Sequence, residues 1–555
     1  MKKKGAEIIV ETLIDKGIDT VFGYPGGANI PIYDAIYGRS EIRHILTRHE
    51  QGAIHAADGY ARATGKIGVV FATSGPGATN LVTGLANAYM DSVPLVAITG
   101  QVPTHMIGND SFQEADIYGI TVPITKYNYL VKDVNKLEEV INEALYIAST
   151  GRPGPVLIDI PKDIQESTAK MKKNITVRLP SYKPNIKGNP IQINAAVKAI
   201  DNAESPLLYA GGGVVASGAC KELFKLAKKA SIPVALTLMS MSAFPTEDKL
   251  CLGMAGMHGT KYANLAIRDC DLLIAVGARF DDRVTGNPNN FAKNASIIHI
   301  DIDPAEIGKI KKAFIPIVGD AKSVLSELAD KVKVQKRRKW INKIMNFKKE
   351  FPLSYENSGK KIKPQKVIET LSELTKGDAI YVTDVGQHQM WSAQYLKFKH
   401  TRSFISSGGL GTMGFGFPAA IGAQIGNPKK TVVNITGDGS FQMTIQELAT
   451  ASNYKLPIKI ILLNNGFLGM VRQWQQLFFD ERYSFTDLGE SPDFVKIAEG
   501  YGVKGMKIEK PSEVERAIKS ALKYKGLILL DFRVEREENV TPMIPPGGSI
   551  ETMME

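Results

Sequence analysis

Uninterrupted apolar runs recur along the whole 555-residue chain, and stretches with helical periodicity separate them. In the N-terminal third they are Gly68–Ala72, Pro94–Thr99 and Pro155–Ile160. The middle carries Pro206–Ala210, Val234–Leu238, Asp271–Val276 and Ile297–Asp301. The last third carries Ala379–Thr383, Thr431–Thr436, Ile458–Leu463 and Leu527–Asp531. A strand with one wet face alternates apolar and polar residues, whereas a strand covered on both faces does not. Long helical crossovers between such strands imply parallel pairing. The fold class is therefore α/β, with three doubly wound parallel-sheet domains expected.

A chain this long cannot be organised around one core. Two stretches read as linkers: polar, Pro-containing residues 166–190 (Pro180, Pro184, Pro190) and basic residues 331–363. They predict domains at 1–165, 190–330 and 364–535, with a Pro/Gly-rich tail at 536–555. The net charge of +11 is concentrated in the second linker. That run reads as a solvated helix and linker; no nucleic-acid reader motif accompanies it, so no nucleic-acid partner is expected. Residues 68–90 and 403–428 are long and uncharged, but Gly, Pro and polar residues interrupt them, so no membrane span is expected. Met1-Lys2-Lys3-Lys4 resembles a leader's basic start, yet the acidic sequence after it supports no secretion signal. Cys220, Cys251 and Cys270, an odd set without C-x-x-C, fit a reducing cytoplasmic compartment.

Two distant segments carry chemistry. Strand 431–436 runs into Gly437-Asp438-Gly439-Ser440, and a helical pattern follows at Gln446-Glu-Leu-Ala-Thr-Ala. Asn464-Asn465 end the next apolar run, 24 residues after Ser440. Ligands collect at the carboxyl ends of parallel strands, and glycines let backbone N–H groups approach a diphosphate. One carboxylate, one amide oxygen and a backbone carbonyl suit Mg²⁺, which is rarely caged by protein alone. The competing reading is two unrelated turns. The other segment, Arg48-His49-Glu50, places a carboxylate where an apolar strand meets a small-residue helix. His49 and His55 beside it read as structural. Gly409-Leu-Gly411-Thr-Met-Gly414 and Gly211-Gly-Gly213-Val-Val-Ala216 are weak dinucleotide signals on their own.

The Gly-Asp-Gly and Asn-Asn pair resembles the signature of thiamine diphosphate enzymes. Across nearly the whole chain the sequence resembles the large catalytic subunits of the acetohydroxyacid synthase (acetolactate synthase) family. The resembling segments include Phe22–Gly27, Arg48–Arg62, Ala72–Asn80, Ser111–Glu114, Gly151–Pro155, Gly256–Gly259, Arg279–Gly286 and Leu468–Trp474.

The resemblance implies a pyrimidine-binding domain, a central FAD-binding domain and a diphosphate-binding domain, with thiamine diphosphate, Mg²⁺ and FAD as cofactors. It implies that pyruvate is decarboxylated and its two-carbon unit joined to pyruvate or 2-oxobutanoate, the first common step toward valine, leucine and isoleucine. A related FAD-dependent pyruvate oxidase or a decarboxylase is the alternative. Catalytic positions carried over are Glu50, Gln113, Lys162 and Gly27. Glu50 would sit in a dry pocket at N1′ of the aminopyrimidine, on a helix at a dimer interface. Thiamine diphosphate would meet Val385, Gly386, Gln387, His388, Gly411, Met413, Gly437, Asp438, Gly439, Ser440, Asn465, Gly469 and Met470. Asp438, Asn465 and the Phe467 carbonyl would hold the metal. FAD would lie among Arg152, Gly211, Gly212, Gly213, Thr237, Leu238, Met239, Met257, His258, Gly277 and Ala278. Further along the same site are Arg279, Asp281, Arg283, Val284, Asp301, Ile302, Asp320 and Ala321. Phe112, Arg283, Met470 and Trp474 would choose the second substrate, although Phe112 and Trp474 also read as core packing. The tail would cover the active site. A homodimer or dimer of dimers with a small regulatory subunit is implied.

Overall fold

A computed structural model describes residues 2–172, 175–356, 359–489 and 492–555. Three six-stranded, wholly parallel sheets follow one another along the chain. The first has the spatial order Arg43–Leu46, Thr20–Gly23, Gly68–Ala72, Leu95–Gln101, Pro155–Pro161, Tyr127–Leu130. The third runs Phe404–Ile405, Ile380–Thr383, Val432–Gly437, Lys459–Asn464, Ile528–Arg533, Lys504–Ile508. Numbered along the chain within each sheet, both orders are 2-1-3-4-6-5. The central sheet is different: Cys251–Met254, Val234–Leu236, Pro206–Ala210, Leu272–Val276, Ser296–Asp301, Ile315–Val318, which is 3-2-1-4-5-6. That is the doubly wound order of dinucleotide-binding folds, with its switch point between the strands Pro206–Ala210 and Leu272–Val276.

The long apolar runs all form strands that are buried along most or all of their length, as continuous hydrophobicity requires. The first and third sheets are locked together by two helices, Glu50–Thr64 and Gly416–Gly426. Their backbones nearly touch: a Cβ on Gly59 would lie 2.1 Å from the Ala419 carbonyl oxygen, and one on Gly422 1.8 Å from that of Ala56. Ala53, Ala56, Ala57 and Ala61 are buried here with Ala419, Ala420 and Ala423. Within one copy of the chain the small-residue helix is packed against Gly416–Gly426.

Both linkers are more structured than the sequence suggests. Thr168–Lys170 pairs antiparallel with Lys2–Lys4. In the basic stretch, Arg338–Glu350 forms a helix that is not solvated all round: Trp340 and Ile344 enter the central core, and the Trp340 indole donates to the Pro206 carbonyl at 2.9 Å. The lysines share that helix with a buried stripe at i, i+4. Residues 68–90 and 403–428 break into a strand and short helices, and among the described residues no helix is long and apolar enough to cross a membrane. All three cysteines are buried and unbonded to each other.

Candidate active site

The strand ends of the third sheet build one wall. Ile380–Thr383 leads into Asp384-Val385-Gly386 and Val432–Gly437 into Asp438, on the two sides of the sheet's switch point. The helix Asp438–Gln442 begins directly at the Asp, earlier than the pattern from Gln446 predicts. Asp384 is buried and accepts from the N–H groups of Val385 (2.9 Å), Gly414 (2.8 Å) and Gly416 (3.1 Å). Burial pushes its carboxyl up to about 6, against the lowering effect of those three donors. One side chain thereby fixes two loops that carry assigned cofactor residues, and the sequence reading missed it; its signal was an Asp at a strand's end.

Around Gly437 there is room for backbone alone. A Cβ on Gly437 would lie 3.0 Å from His388 Nδ1, and one on Gly469 2.2 Å from Gln387 Oε1 and 2.7 Å from Asn465 Nδ2. Gln387 Oε1 accepts from Asn465 at 3.3 Å, and Asn465 Oδ1 accepts from the Phe467 N–H at 3.1 Å. His388 is buried, burial lowers it to about 3, and its Nε2 has no hydrogen-bond partner among the described residues. A neutral imidazole with an unused ring nitrogen beside a glycine-lined strand end fits a phosphate-bearing ligand. Asp438 and Asn465 are both buried, a donor set of one carboxylate and one amide that needs ligand oxygens to complete a Mg²⁺ shell.

The other wall comes from the central sheet. At its switch point the loops after Pro206–Ala210 and Leu272–Val276 meet glycine to glycine: Gly211 donates to Val276 at 2.9 Å and Gly213 to Gly277 at 3.1 Å. A Cβ on Gly213 would stand 2.7 Å from the Gly277 Cα, and Gly277 has φ +55°. Asp301 ends the neighbouring strand, and burial raises its carboxyl to about 6. Arg152 reaches across from the first domain, donating to Ser92 (2.8 Å), Asp303 (3.1 Å) and Glu306 (2.8 Å). Burial keeps His258 neutral, lowering it to about 4, with Arg283 acting in the same direction.

Between these walls lies a cavity of about 1840 Å³. All of the residues assigned to FAD line it. So do Val385, Gly386, Gly411 and Met413 from the third sheet, and Met470 and Trp474 from the helix Gly469–Phe478. The Arg283 guanidinium lies 5.6 Å from the Trp474 ring centre. Lining residues that the sequence reading missed include Met90, Asp91 and Tyr182. Gln387, His388, Gly437, Asp438, Gly439, Ser440, Asn465, Gly469 and Phe467 adjoin this wall without lining the cavity. The tail holds two cavity walls from behind: Ile544 donates to the Met257 carbonyl (2.8 Å), and Val540 to Gln473 Oε1 (2.8 Å). None of its residues lines the cavity.

Glu50, Gly27, Phe112, Gln113 and Lys162 stand apart; none of them lines the cavity. Glu50 is the first residue of the helix Glu50–Thr64, is buried, and accepts from the Asn80 amide at 3.0 Å. Its turn is seated on Glu447, which accepts from the Arg48 N–H at 3.0 Å. Lys162 follows strand Pro155–Pro161, and Gln113 takes a left-handed backbone (φ +59°) packed on Gly75. Phe112 is 87% exposed, so it is no core residue of this chain. Within one copy of the chain Glu50 stands on the first domain and Asp438 and Asn465 on the third, and none of the three lines the cavity.

Three stretches of the chain match known protein families. Residues 3–120 match the family described as thiamine pyrophosphate enzyme, N-terminal TPP binding domain; residues 193–328 match the central domain and 384–532 the C-terminal TPP binding domain. The chain is 51% identical to a probable acetolactate synthase large subunit of Methanocaldococcus jannaschii, over 100% of this chain and 95% of that protein. It is 51% identical to the acetolactate synthase large subunit of Corynebacterium glutamicum (98% and 89% covered) and 49% identical to that of Porphyra purpurea (99% and 95%).

Proposed function

The chain belongs to the acetolactate synthase large-subunit family of thiamine diphosphate enzymes, and from that premise we propose how its residues divide the work. The reaction is decarboxylation of pyruvate and condensation of the two-carbon unit with a second 2-oxo acid. Thiamine diphosphate, when bound, supplies the electron sink for the loss of CO₂. Asp438, Asn465 and the Phe467 carbonyl hold Mg²⁺, and the backbone around Gly386, Gly437 and Gly469 admits the diphosphate. Glu50 holds a proton at N1′ of the aminopyrimidine, buried so that water does not compete. Gly27, Gln113, Lys162 and Phe112 bring the first domain's strand-end loops to the substrate. Trp474, Met470 and Arg283 shape the acceptor pocket, where Arg283 pairs with a 2-oxo acid's carboxylate.

FAD occupies the central cavity. Its volume of about 1840 Å³ exceeds the roughly 300–1,000 Å³ of ordinary small-molecule sites and leaves room for a dinucleotide beside the reacting groups. Glu50 of one copy meets the diphosphate residues of another, so that the complete centre forms between two copies of the chain, as a homodimer or dimer of dimers. A small regulatory subunit and a cytoplasmic setting complete the reading.

The observation that carries this reading is the meeting of two switch points at one cavity: glycine-walled Gly211–Gly213 and Gly277 on one side, and on the other Val385 and Gly386, behind which Asp438 and Asn465 lie. The purified chain with thiamine diphosphate and Mg²⁺ should turn pyruvate into acetolactate. Release of CO₂ with acetaldehyde and no acetolactate overturns it. Flavin bleaching by pyruvate at the turnover rate would assign the chain to the oxidases instead.

A further inference from the structure

We propose that Asp91, with Asn87 and the Asp58–Arg62 ion pair, is a positioning device that sets the cavity wall at Ser407–Gly411, where all three domains meet. This rests on the reading of the cavity as a dinucleotide site. Asp91 closes the helix Val82–Met90 of the first domain. Its carboxylate is almost fully buried and accepts from two consecutive backbone N–H groups of the third domain, Gly408 at 3.1 Å and Gly409 at 2.7 Å. The Asn87 Oδ1 accepts from Ser407 Oγ at 2.5 Å and from Thr412 Oγ1 at 3.2 Å, and Ser407 Oγ in turn accepts from the Thr412 N–H at 2.9 Å. Both ends of the loop are thus tied to one helix more than 300 residues away in sequence.

The charge is balanced locally. Arg62 donates to Asp91 at 2.8 Å, to Asp58 at 2.5 Å and to the Ser406 carbonyl at 3.0 Å, and Asn87 donates to Asp58 at 3.0 Å. Burial raises the Asp58 carboxyl, and the arginine beside it works in the opposite direction. The guanidinium is the single cation facing both carboxylates in these contacts, so it fixes their geometry as well as their charge.

The loop is closely packed. A Cβ on Gly409 would stand 2.8 Å from Asp91 Oδ1, and one on Gly408 2.3 Å from the Met239 sulfur of the central domain. Met90, Asp91, Met239, Gly408 and Gly409 all line the cavity. A shift in the carboxylate therefore moves the wall against which the flavin-assigned Met239 is packed.

The test is FAD affinity of the full chain, read by flavin fluorescence, alongside the thermal midpoint of the flavin-free chain. Asp91→Asn should weaken FAD binding about tenfold, the factor that one lost charge-assisted hydrogen bond represents, and Ser407→Ala, which removes neutral hydrogen bonds, about three- to tenfold. Asp159→Asn, at a buried carboxylate of the first sheet outside the cavity, serves as the control for general destabilisation. Unchanged FAD affinity in both junction variants overturns the proposal, as does an equal loss in the control at an equal fall in midpoint. If Asp91→Asn does not fold, Ser407→Ala decides alone. A wild-type chain that binds no FAD overturns the dinucleotide reading itself, which is a separate outcome.

Discussion

Single side chains set the chemistry, and two of them make sharp predictions. Trp474 stands on the cavity wall between Phe478, edge-on at 5.6 Å, and the Arg283 guanidinium. Trp474→Leu opens space where an extra methyl would be felt, and one methylene is worth about 1–3 kcal/mol in such pockets. Competition between pyruvate and 2-oxobutanoate should shift toward pyruvate by roughly tenfold or more. Glu50→Gln keeps the shape and can keep the Asn80 contact, but an amide cannot pass a proton as a carboxyl does. Acetolactate formation should fall by about 10²–10⁴ while thiamine diphosphate still binds. Neither role could be read from Glu50 or Trp474 alone. An acid at a helix start is usually a cap, and an indole is usually core; the resemblance supplied the roles, and the structure shows Trp474 on the cavity wall and Glu50 away from it.

At the scale of elements, the helix pair Glu50–Thr64 and Gly416–Gly426 decides how the first and third domains sit. Gly422→Val would push two methyl groups at the Ala56 carbonyl, and overpacking of this kind costs about 1–3 kcal/mol or more. The thermal midpoint should drop accordingly. His55 lies in the same seam, edge-on to Phe415 at 5.4 Å, with neither ring nitrogen bonded among the described residues. Burial, with Arg62 adding to it, lowers His55 to about 3 from 6.5. Its unfolded form takes up a proton below pH 6.5 and its folded form does not. The stability present above 6.5 therefore drains as pH falls toward 3, by about 1.4 kcal/mol per pH unit. His55→Leu should lose less stability than wild type between pH 6.5 and 4.5 in denaturant melts.

Which elements were legible follows from where they lie. The runs buried on both faces could be seen in the sequence because burial writes itself as unbroken hydrophobicity. Several sheet edges could not: Arg43–Leu46, Tyr127–Leu130 and Lys504–Ile508 are partly exposed and carry polar residues, and Ile315–Val318 is partly exposed, only four residues long and interrupted by a proline. Thr20–Gly23 is central but only four residues long. In Arg338–Glu350 the lysines masked the Trp340 and Ile344 stripe. At the candidate site, glycine runs and the Asp438–Asn465 spacing were visible. Asp384, Asp91 and Glu447 were not, because each acts on backbone N–H groups far away in sequence.

For the molecule as a whole, the matching 2-1-3-4-6-5 order of the first and third sheets gives one chain the same strand topology twice, with different residues at the strand ends. If a centre takes Glu50 from one copy and Asp438 from another, two dead variants can rescue each other. Glu50→Gln and Asp438→Asn should each be inactive alone. Mixed, dissociated and reassociated one to one, they should recover about a quarter of wild-type activity, since half the dimers are mixed and each holds one intact centre. No recovery, with mixed dimers demonstrated by differential tags, would place the whole centre within one copy.

The seam between those two halves also has a genetic side. At Gly59 and Gly422 the neighbour is backbone, which no rotamer change can move aside. Every missense change at either codon adds a side-chain carbon, so neither position has a mild first step by which sequence could drift. Repair would have to come from the opposing helix, whose intruding carbonyls belong to Ala419 and Ala56 and cannot be shortened by any exchange of residue.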